Sequence, residues 1–284
     1  MKQESKFSHD THSITRRGFI QSGMCCGAMA LVGCNATGGQ RGNWPIGHHN
    51  YNWDHAWDNA EHLDLRLRLT RDTGYEGIEA KPNEFGVPAE VLKDKCAEYS
   101  LQCAAVGGNV KEAIDYAHIV GAHVVRAQVT KEEGPRWVDY AGERDIMIVV
   151  HNHIGRRGQE GPPNIETRED LLRYLDERPG VYACPDTAHL ELCGSDSVQT
   201  IRDLGERCGY VHLKDIVPDK VGVHKNIPNK FIGLGKGAID IPGVLTALEE
   251  IGYNNWIMVE RDNRVEDYEQ SAREMREYLR ELGC

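Results

Sequence analysis

The 284-residue sequence predicts a single (β/α)8 TIM barrel, which is an α/β fold. From residue 44 onward, eight short segments rich in β-forming residues alternate with helical segments. Strict alternation is typical of parallel strands joined by right-handed crossovers, and eight such units fit about 240 residues. A doubly wound sheet is the alternative, but no G-x-G-x-x-G motif follows the first predicted strand.

The predicted strands are four to six residues long. They are separated by segments with helix-start signals such as Pro88 and the run Thr167 to Asp170, and with leucines at helical spacing such as Leu171 and Leu175. The strands are Ile46–Asn50, Gly77–Ala80, Gln102–Val106, Val124–Val129, Ile146–His151, Val181–Pro185, Tyr210–Leu213 and Trp256–Glu260. The helices are Leu63–Thr73, Pro88–Tyr99, Val110–Val120, Pro135–Glu143, Thr167–Glu177, Ser197–Glu206, Ile241–Ile251 and Val265–Leu282.

The charge balance bears on the class of partner. The chain has 33 Lys and Arg against 44 Asp and Glu, so its formal net charge is −11. A surface of that sign repels a phosphate backbone. The sequence therefore argues against a nucleic acid partner.

The N-terminal residues have the pattern of an export leader. Arg16 and Arg17 precede a modest apolar run and resemble a twin-arginine signal. The run ends in Leu-Val-Gly-Cys34, which resembles a bacterial lipobox, so that Cys34 would carry a lipid anchor; a non-lipidated signal cut nearby is the alternative. We therefore expect export to the periplasm, with membrane contact only through Cys34. The predicted organisation is a leader at 1–34, a linker at 35–43 and the barrel at 44–284.

Polar side chains follow five of the predicted strands. In a barrel of parallel strands, functional groups gather at the carboxyl ends of the strands. Neutral histidine nitrogens and carboxylate oxygens are ligands of divalent cations, so these ends predict a metal site. The five ends are Ile78-Glu79-Ala80-Lys81, Val150-His151-Asn152-His153, Pro185-Asp186-Thr187-Ala188-His189, Val211-His212-Leu213-Lys214-Asp215 and Val259-Glu260-Arg261-Asp262.

Other histidines are given lesser roles. A lone histidine after an apolar strand is usually a loop residue bonded to backbone. His224, in a loop with Lys225, is a candidate to cover the site. Four histidines at or after the first strand are interpreted as flanking the mouth of the barrel: His48, His49, His55 and His62.

Four motifs together resemble the xylose-isomerase-like barrel superfamily over about residues 44–282. Its members include sugar phosphate isomerases and epimerases, inosose dehydratase and endonuclease IV. The resemblance implies that Asp186, His212 and Glu260 bind a divalent metal ion and that His189 contacts the substrate. The motifs are Asp186-Thr187-Ala188-His189, Val211-His212-Leu213-Lys214-Asp215, Gly233-x-Gly-Lys-Gly-x-x-Asp240 and Trp256-Ile257-x-Val259-Glu260.

The fifth strand departs from the epimerase pattern. Epimerase members end this strand with a glutamate that is both metal ligand and base, whereas this chain has His151. A histidine keeps a ligand but removes one of the paired carboxylates used for two-sided proton transfer. The stretch from Val150 to Gly155 instead resembles the His-rich segment of inosose dehydratase-like members, which eliminate water next to a ketone. With a period of two residues, His151 and His153 face the same side.

The combined prediction is a metal-dependent enzyme that acts on a small keto-sugar or keto-polyol through an enediolate. Lyase or hydratase chemistry, on a 3-keto-glycoside for instance, suits an exported protein and the fifth strand. The alternatives are a sugar isomerase or epimerase and a non-catalytic sugar-binding lipoprotein, while a homo-oligomer is left open. The expected ligands of the divalent ion (Mn, Co, Mg or Zn) are His151, Asp186, His212 and Glu260.

Four residues are candidates for proton transfer: Glu79, His153, His189 and Lys214. Glu79 is the first choice as base because the second strand lies across the mouth and its carboxylate is expected to be free. His153 is the second choice. Lys214 is either a catalytic acid or a cation that only pairs with Asp215.

Overall fold

The computed structural model describes residues 41–155, 164–225 and 227–284. The expected leader and its Cys34 lie outside these residues. The strands are β1 Ile46–His48, β2 Gly77–Ala80, β3 Gln102–Gly107, β4 Val124–Arg126, β5 Met147–His151, β6 Tyr182–Cys184, β7 Val211–Leu213, β8 Asp215–Ile216, β9 Phe231–Ile232 and β10 Ile257–Val259. The helices are α1 Leu63–Asp72, α2 Ala89–Glu98, α3 Val110–Val120, α4 Gly134–Gly142, α5 Arg168–Asp176, α6 Thr187–Leu192, α7 Ser197–Leu204, α8 Ile241–Glu250 and α9 Tyr268–Glu281.

Eight parallel strands form the barrel, in the order β6-β5-β4-β3-β2-β1-β10-β7. The two ends of this order meet through isolated parallel bridges, Ala183 with Cys208 and Asp186 with His212. Each barrel strand corresponds to one of the eight predicted segments. The predicted (β/α)8 barrel is confirmed.

Local sequence signals fix several helix ends. Thr167 and Asp170 form a reciprocal capping box at the start of α5, as the sequence predicts. At α7 the cap is Asp196, one residue before the predicted start, and its side chain accepts the Gln199 N–H at 2.9 Å. In the described part of the chain, no helix combines the length and apolar character that crossing a membrane requires.

Two elements between barrel strands were not predicted. The short helix α6 follows β6 directly, because the Asp186 side chain accepts the His189 N–H at 3.0 Å and so caps it. The antiparallel pair β8 and β9 follows β7. Both elements lie at the carboxyl end of the barrel, where the polar strand ends also lie.

The barrel interior is filled by a small apolar cluster that is separate from the main core between strands and helices. Its members come from six barrel strands or the residues next to them and contact one another, so they close the middle of the barrel. We call this cluster the inner plug. It comprises Ala104, Ala105, Val124, Val149, Cys184, Tyr210 and Met258.

Candidate active site

Each barrel strand places one residue in a ring above the inner plug. On six strands this residue follows a plug residue by two positions, as His151 follows Val149 and His212 follows Tyr210. Side chains two residues apart on a strand point the same way, so the ring faces the barrel axis. We call it the polar ring; its members are His49, Glu79, Gly107, Arg126, His151, Asp186, His212 and Glu260.

The four residues predicted as metal ligands lie together on one side of the ring. Donor atoms of His151, Asp186, His212 and Glu260 all lie within 4.8 Å of one another. Two ligand atoms bound to one ion at 2.0–2.3 Å lie at most about 4.6 Å apart. The side chain of Asn152 holds the backbone of Asp186 in place by accepting its N–H at 2.8 Å. We call these four side chains the metal cluster.

Two buried atoms of the metal cluster indicate that it binds a cation. The Nδ1 atom of His212 and the Oε2 atom of Glu260 are buried and 2.6 Å apart, so either a proton on the His212 ring or a metal ion must lie between them. Buried polar atoms in proteins are almost always satisfied. Two imidazoles and two carboxylates suit Mn²⁺, Co²⁺ or Zn²⁺, so the residues fit a divalent ion.

The ammonium group of Lys214 supplies positive charge to this cluster. Its Nζ atom lies 3.2 Å from Asp186 Oδ2, 3.0 Å from Glu260 Oε1 and 2.9 Å from Asp262 Oδ2. Burial opposes the charged forms, but these pairings outweigh it: the pKa of Lys214 is raised well above its usual value and that of Asp186 is held well below. Lys214 therefore supplies part of the positive charge that the two carboxylates of the metal cluster require.

Asp215 is not the partner of Lys214, so that alternative is wrong. Its carboxylate instead accepts the backbone N–H groups of Gly235 at 3.0 Å, Gly237 at 2.9 Å and Ile239 at 3.1 Å. Gly235 has a φ of +77°, which glycine adopts readily. Asp215 therefore holds the glycine-rich turn that follows β9, and Lys214 is left to serve the metal cluster.

The carboxylate of Glu79 is not free, contrary to expectation. It is buried, and its Oε1 accepts Arg126 Nε–H at 2.7 Å while its Oε2 lies 2.8 Å from His212 Nε2. Burial alone would raise the pKa of Glu79, but Arg126 and His212 outweigh it and keep the pKa well below its usual value. A carboxylate on the far nitrogen of a ligand histidine fixes the ring orientation. Glu79 is thus placed to orient His212 rather than to reach a substrate.

Three ring residues were missed by the sequence analysis: Gly107, Arg126 and His49. Arg126 was detectable as the one charged residue inside the predicted strand Val124–Val129. Gly107 gives it room, since a Cβ atom there would lie 2.9 Å from Arg126 Nη2. The third is His49: it does not flank the mouth but is buried in the ring, with Nδ1 3.7 Å from Glu260 Oε1.

His153 and His189 contact each other beside the metal cluster, with ring centroids 3.9 Å apart and ring planes tilted by 39°. His153 Nδ1 lies 2.6 Å from the Ile154 carbonyl oxygen, which requires a proton on Nδ1 and leaves a lone pair on Nε2. His189 Nδ1 accepts the Ile154 N–H at 3.4 Å, which puts the proton on Nε2. Within the described residues, that buried N–H has no partner. Burial lowers the pKa of both rings, so both are neutral.

A cleft leads from the solvent to the metal cluster. Its inner part, about 430 Å³, is lined by His151, His212, Lys214 and Glu260 among others, and its outer part of about 640 Å³ reaches the rim. Both parts share His153 with three other residues, so they are continuous. The volumes match those of small-molecule sites. The predicted candidates His153 and Lys214 therefore border accessible space, whereas Glu79 and His189 do not line it.

The family model described as "Xylose isomerase-like TIM barrel" matches residues 67–282, which include every ring residue after His49. The chain belongs to the xylose isomerase-like TIM barrel family. The resemblance expected from the four sequence motifs is confirmed at this level.

Similar proteins within this family include dehydratases and epimerases. An inosose dehydratase of Clostridium botulinum is 31% identical over 152 residues, which are 50% of this chain and 49% of that protein. The chain thus spans about half the length of the curated relatives it matches. Two solved structures share the fold: D-allulose 3-epimerase from Methylomonas sp. (TM-score 0.64, 21% identity, 86% and 99% of the two chains covered) and 3-keto-D-glucoside 4-epimerase from E. coli (0.61, 17%, 84% and 99%).

Proposed function

We propose that this protein is a divalent-metal-dependent enzyme that removes water from, or adds it to, a keto-sugar or keto-polyol. The observation that carries the proposal is the pair of contacting imidazoles next to the metal cluster: His153 offers a lone pair, and His189 an N–H without a partner among the described residues. The His-rich end of the fifth strand and the similarity to inosose dehydratases support lyase chemistry. A 3-keto-glycoside handled in the periplasm fits the twin-arginine pattern of the leader.

In this proposal the ion would be held by His151, Asp186, His212 and Glu260. When bound, it would polarise neighbouring carbonyl and hydroxyl oxygens of the substrate. His153 Nε2 removes the proton from the carbon next to the ketone, the C–H electron pair forms a C=C bond to the carbonyl carbon, and the C=O π pair moves onto the oxygen. His153 then delivers this proton to the hydroxyl group on the next carbon along: the C=O bond re-forms, the C=C pair shifts to join the two former tetrahedral carbons, and the C–O bond breaks to release water.

Two further residues stabilise the developing negative charge. His189 does not line the cleft, but its buried Nε2–H has no other partner among the described residues and its ring contacts His153, so it would donate to a substrate oxygen that reaches past His153. Lys214 keeps its proton because its pKa is raised, so it acts as a fixed positive charge rather than as a proton donor. Neither group needs to change its protonation state during the reaction.

Proton NMR in deuterated water tests this proposal directly. Mn²⁺-loaded and metal-stripped samples of the protein are each given an inosose and a 3-keto-glucoside. We expect the loaded protein alone to exchange the proton next to the ketone and to produce an alkene signal. Epimer formation without an alkene would favour the isomerase alternative, and binding without any exchange would favour a sugar-binding protein.

Metal binding at the cluster should release a proton. Burial disfavours a charged ring at His212, but Cys184 and the carboxylates of Glu79 and Glu260 outweigh burial and raise the pKa of His212 well above its usual value. An incoming ion must displace the Nδ1 proton, so Mn²⁺ affinity should rise about tenfold per pH unit until the pH passes that raised pKa. Titrations at pH 5.5, 6.5 and 7.5 check this result. An affinity that does not change with pH would contradict the arrangement.

Glu79→Gln should weaken metal binding about 10- to 100-fold, the usual cost of losing a carboxylate that orients a ligand histidine. The variant keeps the shape of the side chain but removes the charge that holds His212 and Arg126. Mn²⁺ affinity measured by electron paramagnetic resonance checks the result. Glu84→Gln is the matched control, because Glu84 bonds Asn50 at 3.0 Å at the rim and is not in the ring. If Glu79→Gln kept full metal affinity but turned over more slowly, Glu79 would be the base, as first predicted.

A further inference from the structure

A second group of potential metal ligands lies outside the active site. It consists of Glu166 before α5, Cys193 after α6 and His224 in the loop between β8 and β9. Their ligand atoms all lie within 4.8 Å of one another. None of the three belongs to the polar ring or to the proton-transfer candidates, so the proposed function leaves this group without a role.

The backbone presents His224 to the other two residues. His224 has a φ of +50°, a left-handed conformation that non-glycine residues adopt at an energetic cost. Its N–H donates to the Leu192 carbonyl at 2.8 Å, and the Gly222 N–H donates to the Glu191 carbonyl at 2.9 Å. These bonds dock the loop on the C-terminal end of α6. The imidazole is thereby directed at Glu166, with Nε2 2.9 Å from Oε2.

The charges of the group favour a cation. One oxygen of Glu166 accepts the Gly155 N–H at 2.7 Å, and within the described ranges its one ion pair is with His224. Cys193 is a half-buried free thiol whose sulfur lies within 4.8 Å of ligand atoms of Glu166 and His224. The sulfur is therefore placed to share one ion with these two residues.

We propose that Glu166, Cys193 and His224 form a Zn²⁺ site that is distinct from the metal cluster. A thiolate sulfur, an imidazole nitrogen and a carboxylate oxygen are the three donor types that zinc accepts, and the sulfur disfavours Mg²⁺ and Mn²⁺. The negative charges of the thiolate and the carboxylate would balance the ion. The side chain of His224 is 53% exposed, so solvent can supply a fourth ligand.

Zinc at this position would support the active site from its outer side. Helix α6 begins after Asp186, a member of the metal cluster, and carries His189 in its first turn. Cys193 follows the last residue of the same helix. An ion bridging Cys193 to Glu166 and His224 therefore ties α6 at its C-terminus while Asp186 fixes its N-terminus.

Cobalt substitution tests the site with a spectroscopic signature of its own. Metal-stripped full-length protein is titrated with Co²⁺, and sulfur-to-cobalt charge-transfer absorption reports a thiolate ligand. We expect this absorption to appear, to be displaced by Zn²⁺ and not by Mg²⁺, and to persist in Asp186→Asn, where the metal cluster is disabled. Persistence in that variant separates this inference from the proposed function.

Three variants and one control complete the test. Cys193→Ser should abolish the absorption and lower Zn²⁺ affinity at least tenfold. His224→Asn, which tolerates the left-handed backbone, and Glu166→Gln, which can still accept the Gly155 N–H, should each lower the affinity about as much. Cys284→Ser, which changes the other half-buried cysteine, should have no effect. Absence of the absorption in the unaltered protein, or its survival in Cys193→Ser, would overturn the inference.

Discussion

His153→Gln is expected to lower turnover about 10²- to 10⁴-fold and to leave metal affinity unchanged, the range for loss of a positioned general base. Glutamine can still donate to the Ile154 carbonyl, as His153 does now, but it cannot take a proton. The ring lies outside the metal cluster, with its centroid 5.9 Å from that of His151. Steady-state rates and Mn²⁺ titrations on the same samples check both halves of the expectation.

The matched control is His55→Gln, because His55 lines the outer cleft but is 63% exposed, and its ring bonds Asp58 and contacts Tyr51 at the rim. It should turn over nearly as fast as the unaltered protein. Exchange of the substrate proton in deuterated water should slow in His153→Gln in step with turnover. If His153→Gln loses the metal ion instead, the fifth strand presents His153 rather than His151 to the cluster, and the assigned register is wrong.

Asp186→Asn should lower Mn²⁺ affinity by more than about 10²-fold, since even indirect partners of ligands cost 10- to 100-fold. The substitution removes a buried negative charge that faces His151 Nε2 at 3.2 Å and Lys214 Nζ at 3.2 Å. Asparagine is as good an N-cap as aspartate, so α6 keeps its first hydrogen bond. We therefore expect a folded protein that has lost metal-dependent activity, and whose thermal stability falls through the lost pairing with Lys214 rather than through a lost cap.

Comparison with Asp186→Ala separates the two roles of this residue. Alanine removes the cap as well as the ligand, and the lost cap costs about 1 kcal/mol. Asp196→Ala provides the control, because Asp196 caps α7 without contacting the cluster. Asp196→Ala should lose about as much free energy of unfolding as the loss of the α6 cap costs, and its metal affinity should be unchanged. Equal melting temperatures for Asp186→Asn and Asp186→Ala would show that the cap at α6 contributes little.

The sequence alone was sufficient to predict the barrel and to predict that polar side chains meet at the carboxyl ends of its strands. Strand–helix alternation requires parallel neighbours, and parallel strands bring their carboxyl ends to one rim. The period of two then places His151 and His153 on the same side of the fifth strand. Backbone geometry thus brings the polar strand ends to one rim, whereas the choice of Asp186, His212 and Glu260 as metal ligands came from the resemblance to the superfamily.

Other features depend on contacts that a linear pattern does not contain. The bond between Glu79 and Arg126 crosses from β2 to β4 through the space above Gly107, so the buried state of Glu79 could not be derived from its own strand. Helix α6 is only six residues long and depends on one capping bond from Asp186. His48 and His49 are adjacent, so the sequence does not show which of them faces the barrel axis. The strand register in the structure decides it: His48 packs against Trp53 and Tyr75, and His49 enters the ring.

The inner plug and the polar ring also bear on how such a barrel can acquire a new substrate. The side chains that hold the strands together in the middle lie one layer below those that would carry the chemistry, on the same strands. An exchange in the upper layer alters charge and ligand type without opening a cavity beneath it, so its folding cost stays low compared with a large-to-small change in the plug. A histidine at position 151, where epimerases of this superfamily have glutamate, is an exchange of this kind. On these strands, the position that determines the chemistry is therefore separate from the position that stabilises the fold.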